Sequence, residues 1–187
     1  MISLGIDVGG TASRWVALDA QGLEIGRGAT PGATGHLFAA LERQRFEAMA
    51  ETIAAHRPSG QVGRIHIGAT GLGPAMHGDA AAILSLHLGA PVSAVSCSDD
   101  MDLAYRAAFA PGEGHLVSAG TGSIGLHVMA DGTLVRVGGR GLLIDDGGSG
   151  TWIALNALDR IYRRIDETGA PADAAILARH VFAAIGG

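Results

Sequence analysis

Lysine is missing from this sequence, in which all 13 basic residues are arginine. Three classes of protein depend on a lysine amine. Walker-type loops use it to bind phosphate, protein kinases use it on a strand of the nucleotide site, and Schiff-base enzymes use it as a nucleophile. The absence of lysine therefore excludes all three classes.

Cysteine is almost as scarce, since Cys97 is the only one in the sequence. A single cysteine excludes an intrachain disulfide and any CxxC pair for zinc or redox chemistry. The thiol could join a metal cluster only across the interface of an oligomer.

Long apolar runs and an excess of basic charge are also lacking. No segment reaches the roughly 18 consecutive apolar residues of a membrane span, and the amino terminus has no basic leader. The net charge of −5 argues against nucleic acid as a partner. We therefore expect a cytoplasmic protein that binds neither membrane nor nucleic acid.

The composition is that of a folded protein with an unusual amount of glycine. Hydrophobic residues make up 48% of the chain and charged residues 17%, so a packed core is expected. The 30 glycines cluster at the ends of apolar runs. Glycine at such points lets the backbone approach a ligand closely.

Apolar periodicity and turn residues predict an α/β chain in two domains, residues 1–112 and 113–187, separated by a turn-rich segment at 110–114. The predicted strands cover residues 2–8, 15–18, 23–29, 62–69, 92–96, 115–119, 124–129 and 133–137. The predicted helices cover residues 34–56, 75–88, 101–109, 152–165 and 171–185. The buried face of the first helix is predicted to hold Phe38, Leu41, Phe46, Met49 and Ile53.

A strand, a glycine-rich turn and a second strand occur twice, at residues 2–18 and 115–129. In the first hairpin, Gly9 and Gly10 leave backbone N–H groups free to point at phosphate oxygens, and Thr11 adds a hydroxyl. Asp7 ends the strand, where a carboxylate can hold a hydrated Mg²⁺. The same residues would also suit an ordinary glycine turn with a solvated aspartate.

The second hairpin has Gly120, Thr121, Gly122 and Ser123 at its bend. Residues 120–125 match the GxGxxG dinucleotide pattern, but that pattern requires a helix next, and residues 124–128 read as a strand. We therefore interpret this bend as a second phosphate-binding turn.

The two hairpins, the segment Ser98-Asp99-Asp100-Met101 between them, and the loop 138–149 followed by Trp152-Ile153-Ala154 occur in an order that resembles the actin, Hsp70 and sugar-kinase ATPases. Within that superfamily the chain is similar to the BadF/BadG/BcrA/BcrD ATPase and N-acetylglucosamine kinase family. The resemblance implies a ribonuclease-H-like fold, complete in the first domain and partial in the second, that binds Mg²⁺ and ATP.

The resemblance also implies a catalytic base, because kinases of this family place an aspartate after the last strand of the first domain. Counting without gaps from the second turn favours Asp100, which would also lie near the metal with Asp7. Asp99 is the alternative base. Ser98 or Asp99 could instead cap the following helix, and a cap and a base can coexist.

Two further segments match sugar-binding regions of the family by position. The first holds Thr70 and Gly71, after the fourth strand. The second holds Gly139 and Asp146, and Asp146 corresponds to the aspartate of a Gly-Asp-Glu-Gly-Ser motif. Gly147 replaces the glutamate of that motif, which weakens the expectation of an amino-sugar substrate.

The resemblance therefore predicts an ATP-dependent kinase whose acceptor is the hydroxyl of an amino sugar, N-acetylglucosamine first. One alternative is an ATPase that activates an acyl-CoA reductase or dehydratase, although such proteins bridge an iron–sulfur cluster and Cys97 is poorly placed for that. A nucleotide-binding fragment without catalysis is the other.

Relatives are longer than this chain of 187 residues, and their adenine-binding segment lies beyond its last residue. We therefore expect a chain truncated at its carboxyl end. Apolar residues of the last helices, such as Ile153, Ile161 and Ile176, would then be exposed or covered by a second copy. A homodimer is the expected state.

Overall fold

The structure, a computed structural model, describes residues 1–186. The chain divides into two compact units, Met1–Ala110 and Pro111–Gly187. Each unit mixes strands and helices, as the predicted α/β class requires. The assignment of residues 1–112 and 113–187 to separate ribonuclease-H-like domains stays a prediction.

The first unit contains five strands and three α-helices: β1 (Ile2–Val8), β2 (Ala12–Leu18), β3 (Glu24–Pro31), α1 (Ala40–His56), β4 (Val62–Ala69), α2 (His77–Leu88), β5 (Val95–Ser98) and α3 (Asp100–Ala108). The strands form one sheet in the order β3-β2-β1-β4-β5. β1, β2 and β3 are antiparallel, whereas β4 and β5 run parallel to β1. Parallel neighbours need crossover connections, and α1 and α2 lie in those connections.

One face of the sheet carries the main core. Buried residues alternate along β1, as they must when a strand is covered on one face: Ile2, Leu4, Ile6 and Val8. α1 contributes Phe46, Met49 and Ile53 to the same core. Complete burial of each such side chain stabilises the fold by about 1.5–3 kcal/mol.

The opposite face of the sheet carries α3, and a glycine sets how closely that helix approaches. A Cβ placed on Gly68 in β4 would lie 2.5 Å from the Cβ of Leu103 in α3. Real Cβ atoms do not come this close, so any side chain at position 68 would push α3 away from the sheet. Because α3 begins at Asp100, Gly68 also fixes the position of that carboxylate.

The second unit contains β6 (Leu116–Ala119), β7 (Ser123–Val128), β8 (Leu134–Gly138), α4 (Gly150–Thr168) and α5 (Ala175–Ile185). The three strands form an antiparallel sheet in the order β6-β7-β8. Its helices pack through a small core in which Ile161 of α4 contacts Ala174 and Ala178. Ile161 is therefore buried, contrary to expectation, whereas Ile153 and Ile176 are 56% and 71% exposed, as expected.

The first helix differs most from its prediction. It begins at Ala40 instead of residue 34, because backbone bonds hold the preceding segment along the end of the sheet: the amide of Ala33 donates to Gly9 and that of Gly35 donates to Thr70. The predicted face is correct for Phe46, Met49 and Ile53 but wrong for Phe38 and Leu41, which are exposed.

The strand predicted at 92–96 is also shifted. Residues 92–94 form a single 3₁₀ turn in which the amide of Ala94 donates to Pro91, and β5 follows it. The other predicted elements are present. The strands at 2–8 and 62–69 have the predicted bounds, and the remaining elements have displaced ends. The largest displacement is at the last helix, which was predicted from residue 171 and begins at Ala175.

No described helix is long and apolar enough to cross a membrane.

We predict that Gly68→Ala destabilises the first unit by about 1–3 kcal/mol, since overpacking between β4 and α3 has no space to relax. Gly78→Ala is the matched control, because a Cβ there meets nothing within 4 Å, so its effect should be neutral or slightly stabilising. Denaturant unfolding followed by the fluorescence of buried Trp15, in a Trp152→Phe background, measures both. Equal stability of the two variants would contradict the account.

Candidate functional site

The turn between β1 and β2 leaves the backbone at its bend uncovered. The amide of Gly9 donates to Ala12 across the turn, and Gly10 and Thr11 are exposed. A Cβ on Gly32 would lie 2.2 Å from the carbonyl oxygen of Gly10. The segment after β3 therefore packs against one side of the turn, and the other side is open to solvent.

The strand register aligns one residue of each strand in a row across the first sheet. From β5 to β3 the row reads Ser98, Gly68, Asp7, Arg14 and Ala29. Neighbouring strands lie about 4.8 Å apart, so the backbone of Asp7 is about 10 Å from the end of β5. The two aspartates that follow β5 and Asp7, one residue before the end of β1, thus lie at the same end of the sheet.

A cavity of about 650 Å³ opens on the face of the sheet that carries α3. Its charged lining residues are Asp7, Arg14, Arg27 and Asp100. Among the described residues, no three His, Cys, Asp or Glu side chains form a cluster that could hold a metal by themselves. Mg²⁺ needs fewer, since it keeps several waters and uses one or two carboxylates together with phosphate oxygens. Asp7 and Asp100 fit that requirement.

The two adjacent aspartates differ in role. Asp99 is the N-cap of α3, and its carboxylate accepts a hydrogen bond of 2.9 Å from the Met101 amide. Asp100 accepts from the same amide at 2.9 Å and also lines the cavity. Capping by Asp99 agrees with one of the sequence interpretations and leaves Asp100 available to a ligand.

The pKa of Asp100 is raised, first because the carboxyl is half-buried and second because the Asp99 carboxylate lies beside it. Hydrogen bonds from the Met101 amide and the Thr70 side chain act in the opposite direction. A carboxylate that burial and a like charge make harder to ionise is a better proton acceptor, and such groups cluster at functional sites.

Thr70 and Gly71 follow β4 at the same end of the sheet. The Thr70 amide donates to Val8 at 3.0 Å, and its side chain bonds to Asp100. Gly71 has φ +73°, and a Cβ there would lie 2.5 Å from the ring of His36. The structure thus brings Thr70 into contact with Asp100, whereas Gly71 packs against His36.

In the second unit, Asp146 packs against the second glycine turn. Asp146 is buried, and its carboxylate accepts a hydrogen bond of 3.1 Å from the Ser123 amide. A Cβ on Gly122 would lie 3.2 Å from both oxygens of that carboxylate. The start of α4 holds the turn as well, since the Gly150 amide donates to the carbonyl of Gly120 at 2.8 Å.

The turn itself remains open to solvent at Gly120 and Thr121. Gly139, in the loop after β8, has φ +69°, and a Cβ there would lie 2.9 Å from Ile124. The structure therefore brings Asp146 next to Gly122 and Ser123. Contact of Asp146 or Gly139 with a sugar stays a prediction.

Sequence analysis did not identify two residues of the first unit, Arg14 and His66. Arg14 lines the cavity and is exposed, and among the described residues it forms no ion pair. His66 in β4 lies between Ser96 and Ser98. A hairpin register drawn from the Gly9-Gly10 turn would have placed Arg14 opposite Asp7. No local signal identifies His66, because its partners are about thirty residues away.

We predict that Asp100→Asn stabilises the first unit at neutral pH. Asp100 has a raised pKa in the folded state, so its ionisation opposes folding. The unfavourable effect is absent below the ordinary carboxyl pKa of about 4 and develops as pH rises through the folded value. Denaturant midpoints of both proteins, measured from pH 7 down to about 4, should converge at the acid end. A variant less stable than the wild type at pH 7 would contradict the stated cause.

Comparison with known proteins identifies the family and the fold. The model of the BadF/BadG/BcrA/BcrD ATPase family matches residues 4–185. No curated protein is similar enough in sequence to count as a relative.

Among solved structures, a candidate N-acetylglucosamine kinase from Chromobacterium violaceum is 22% identical with a TM-score of 0.68, and the alignment covers 100% of this chain and 64% of that one. A candidate N-acetylglucosamine kinase from Porphyromonas gingivalis is 20% identical with a TM-score of 0.60, and covers 89% and 62%. A ROK family glucokinase from Streptomyces griseus, in complex with glucose and AMPPNP, is 20% identical with a TM-score of 0.50, and covers 90% and 62%.

These structures show that the fold is that of the actin, Hsp70 and sugar-kinase ATPases, as predicted. The chain spans 64% of the length of the Chromobacterium protein. Because the family model matches nearly all of its residues, the chain belongs to the BadF/BadG/BcrA/BcrD ATPase family.

Proposed function

We propose that this chain is the phosphate-binding and catalytic part of an ATP-dependent sugar kinase, whose acceptor is a hydroxyl of an amino sugar, N-acetylglucosamine first. The observation that carries the proposal is the position of Asp100. It is a half-buried carboxylate with a raised pKa that lines the same cavity as Asp7, next to an open glycine turn. The similarity to two candidate N-acetylglucosamine kinases supports the choice of substrate.

In this proposal Asp100 accepts the proton of the sugar hydroxyl as that oxygen attacks the γ-phosphorus of ATP. General-base catalysis of this kind contributes about 10²–10⁴ in rate. Asp99 keeps its bond to the Met101 amide, and the Thr70 side chain holds the Asp100 carboxyl. Asp99 therefore caps α3 and leaves the sugar hydroxyl to Asp100.

The glycine turns bind the phosphates. Gly9, Gly10 and Thr11 offer backbone amides and a hydroxyl in the first unit, and residues 120–123 do the same in the second. Asp7 and Asp100 would hold Mg²⁺, which neutralises phosphate charge when bound. Arg14 adds the cation that a lysine supplies in other phosphate sites, because the chain contains no lysine.

Thr70, Gly71, Gly139 and Asp146 are the proposed sugar contacts. Asp146 is buried and already accepts a hydrogen bond from the Ser123 amide. It would therefore contact a sugar only at the edge of the second glycine turn. Such a kinase would work in the cytoplasm, where its ATP is found.

An ATPase that activates an acyl-CoA enzyme through a shared iron–sulfur cluster is the less favoured alternative. Cys97 is half-buried, burial raises the pKa of its thiol, and the thiol donates to the carbonyl of His77. A cluster ligand must be a thiolate, the form that burial of Cys97 disfavours.

We propose in addition that the chain is a homodimer. Apolar side chains on the second unit are exposed, including Leu143 at 98% and Ile176 at 71%. Soluble monomers rarely leave large apolar patches uncovered. Sedimentation velocity of the chain tests this, and a single monomeric species at all concentrations would contradict it.

The proposed function predicts Mg²⁺-dependent release of ADP with N-acetylglucosamine, assayed over a panel of sugars. Asp100→Asn should reduce the turnover rate by about 10²–10⁴ and leave nucleotide affinity nearly unchanged, because the turns that bind phosphate remain. Asp99→Asn is the matched control, since asparagine caps a helix as well as aspartate does.

Three results would decide against parts of this proposal. If Asp99→Asn is inactive and Asp100→Asn is active, the base is the neighbouring aspartate. If neither change affects turnover, the kinase mechanism is wrong. If nucleotide binds but no sugar stimulates ADP release, the chain is a nucleotide-binding fragment without catalysis.

A further inference from the structure

The side chain of a histidine on β4 contacts the hydroxyls of two serines on β5, shortly before the start of α3. The register pairs His66 with Ser96 directly and places Ser98 two residues further along. The Nδ1 atom of His66 lies 2.8 Å from the Ser96 hydroxyl, and its Nε2 atom lies 3.3 Å from the Ser98 hydroxyl. The ring therefore contacts both serine hydroxyls of β5, the strand that directly precedes Asp99.

The serine hydroxyls also reach backbone carbonyls of β4. The oxygen of Ser96 lies 3.2 Å from the carbonyl of Ile65, and that of Ser98 lies 3.4 Å from the carbonyl of Ile67. Each hydroxyl has one hydrogen, and a neutral imidazole has one donor and one acceptor nitrogen. All four bonds can form together only with a protonated ring, so a neutral ring leaves one serine to donate to histidine instead of to its carbonyl.

We assign the donation to the ring to Ser98. Its carbonyl contact is the longer of the two, at 3.4 Å against 3.2 Å, so giving up that bond loses less. Burial lowers the pKa of His66. Of two charged residues on α3, Asp102 raises this pKa by less than burial lowers it, and Arg106 lowers it further. The neutral ring then accepts from Ser98 through Nε2 and donates to Ser96 through Nδ1.

Ser98 is buried and directly precedes the Asp99 cap. α3 cannot settle closer to the sheet than Gly68 and Leu103 permit, so the remaining freedom at Asp100 is the path of the chain between β5 and α3. The hydrogen bond between Ser98 and His66 ties the end of β5 to β4 and so restricts that path.

We propose that His66 is a positioning residue for phosphoryl transfer, which holds Ser98 and thereby places the Asp100 carboxylate. This inference rests on the proposed function, in which Asp100 is the base. His66 does not line the cavity, and it acts only through the start of α3.

Two conservative substitutions separate the two bonds of the ring. In His66→Gln the side-chain amide reaches the position of Nε2 and keeps the link to Ser98. In His66→Asn the shorter amide reaches the position of Nδ1 and keeps the link to Ser96. His66→Leu removes both links. His56→Leu is the control, because His56 is exposed and bonds only within its own helix, to the carbonyl of Thr52.

The expected result is a fall in kcat of about tenfold to a hundredfold for His66→Leu and His66→Asn, since displacement of a catalytic group by about 1 Å costs up to 10². KM for ATP should stay within about twofold. His66→Gln should recover most of the loss. Ser98→Ala should reproduce the loss and add nothing to His66→Leu, because both break one bond.

A purely structural role predicts a different pattern. In that case the three His66 variants would unfold more easily, while the kcat of the folded protein would equal that of the wild type, and this would overturn the inference. Full activity of His66→Leu beside an inactive Asp100→Asn would overturn it and leave the proposed function standing.

A readout besides activity decides the inference if the wild type phosphorylates no sugar, which would defeat the proposed function. Crystal structures of the variants should show the Asp100 carboxylate displaced by about 1 Å in His66→Leu and Ser98→Ala but not in His66→Gln or His56→Leu. An Asp100 carboxylate in its wild-type position in all four variants would show that His66 does not position this carboxyl.

Discussion

The position of β1 between β2 and β4 is the constraint on which the first unit depends. Its antiparallel pairing with β2 forms the tight glycine turn. Its parallel pairing with β4, which in turn pairs with β5, brings the start of α3 to the same end of the sheet. Asp7 is the last residue but one of this central strand. One strand therefore connects the residues proposed to bind phosphate with the residue proposed to accept the proton.

Small residues set the distances in this arrangement. Gly68 lets α3 approach the sheet, Gly32 lets the chain pass behind the first turn, and Gly122 leaves room for the Asp146 carboxylate. The abundance of glycine in the sequence thus has a structural reason at these positions. Each one lets two segments of the protein approach more closely than a side chain would allow.

Much of this could be predicted from the sequence, because the informative patterns are local. A strand followed by Gly9-Gly10 and the pair Asp99-Asp100 before a helix need only a few neighbouring residues. Features that depend on pairing between distant segments were not predicted. Phe38 was assigned to a helix because nothing local shows the backbone bond from Gly35 to Thr70, and the bridge between His66 and Ser98 depends on the register of β4 and β5.

The measurement that tests the central claim most directly is a crystal structure of the protein with Mg²⁺, a non-hydrolysable ATP analogue and N-acetylglucosamine. The account predicts a sugar hydroxyl within about 2.6–3.2 Å of the Asp100 carboxylate, with the phosphates on the amides of residues 9–11. A sugar hydroxyl bound to Asp99 instead, or phosphates bound away from the glycine turns, would contradict it.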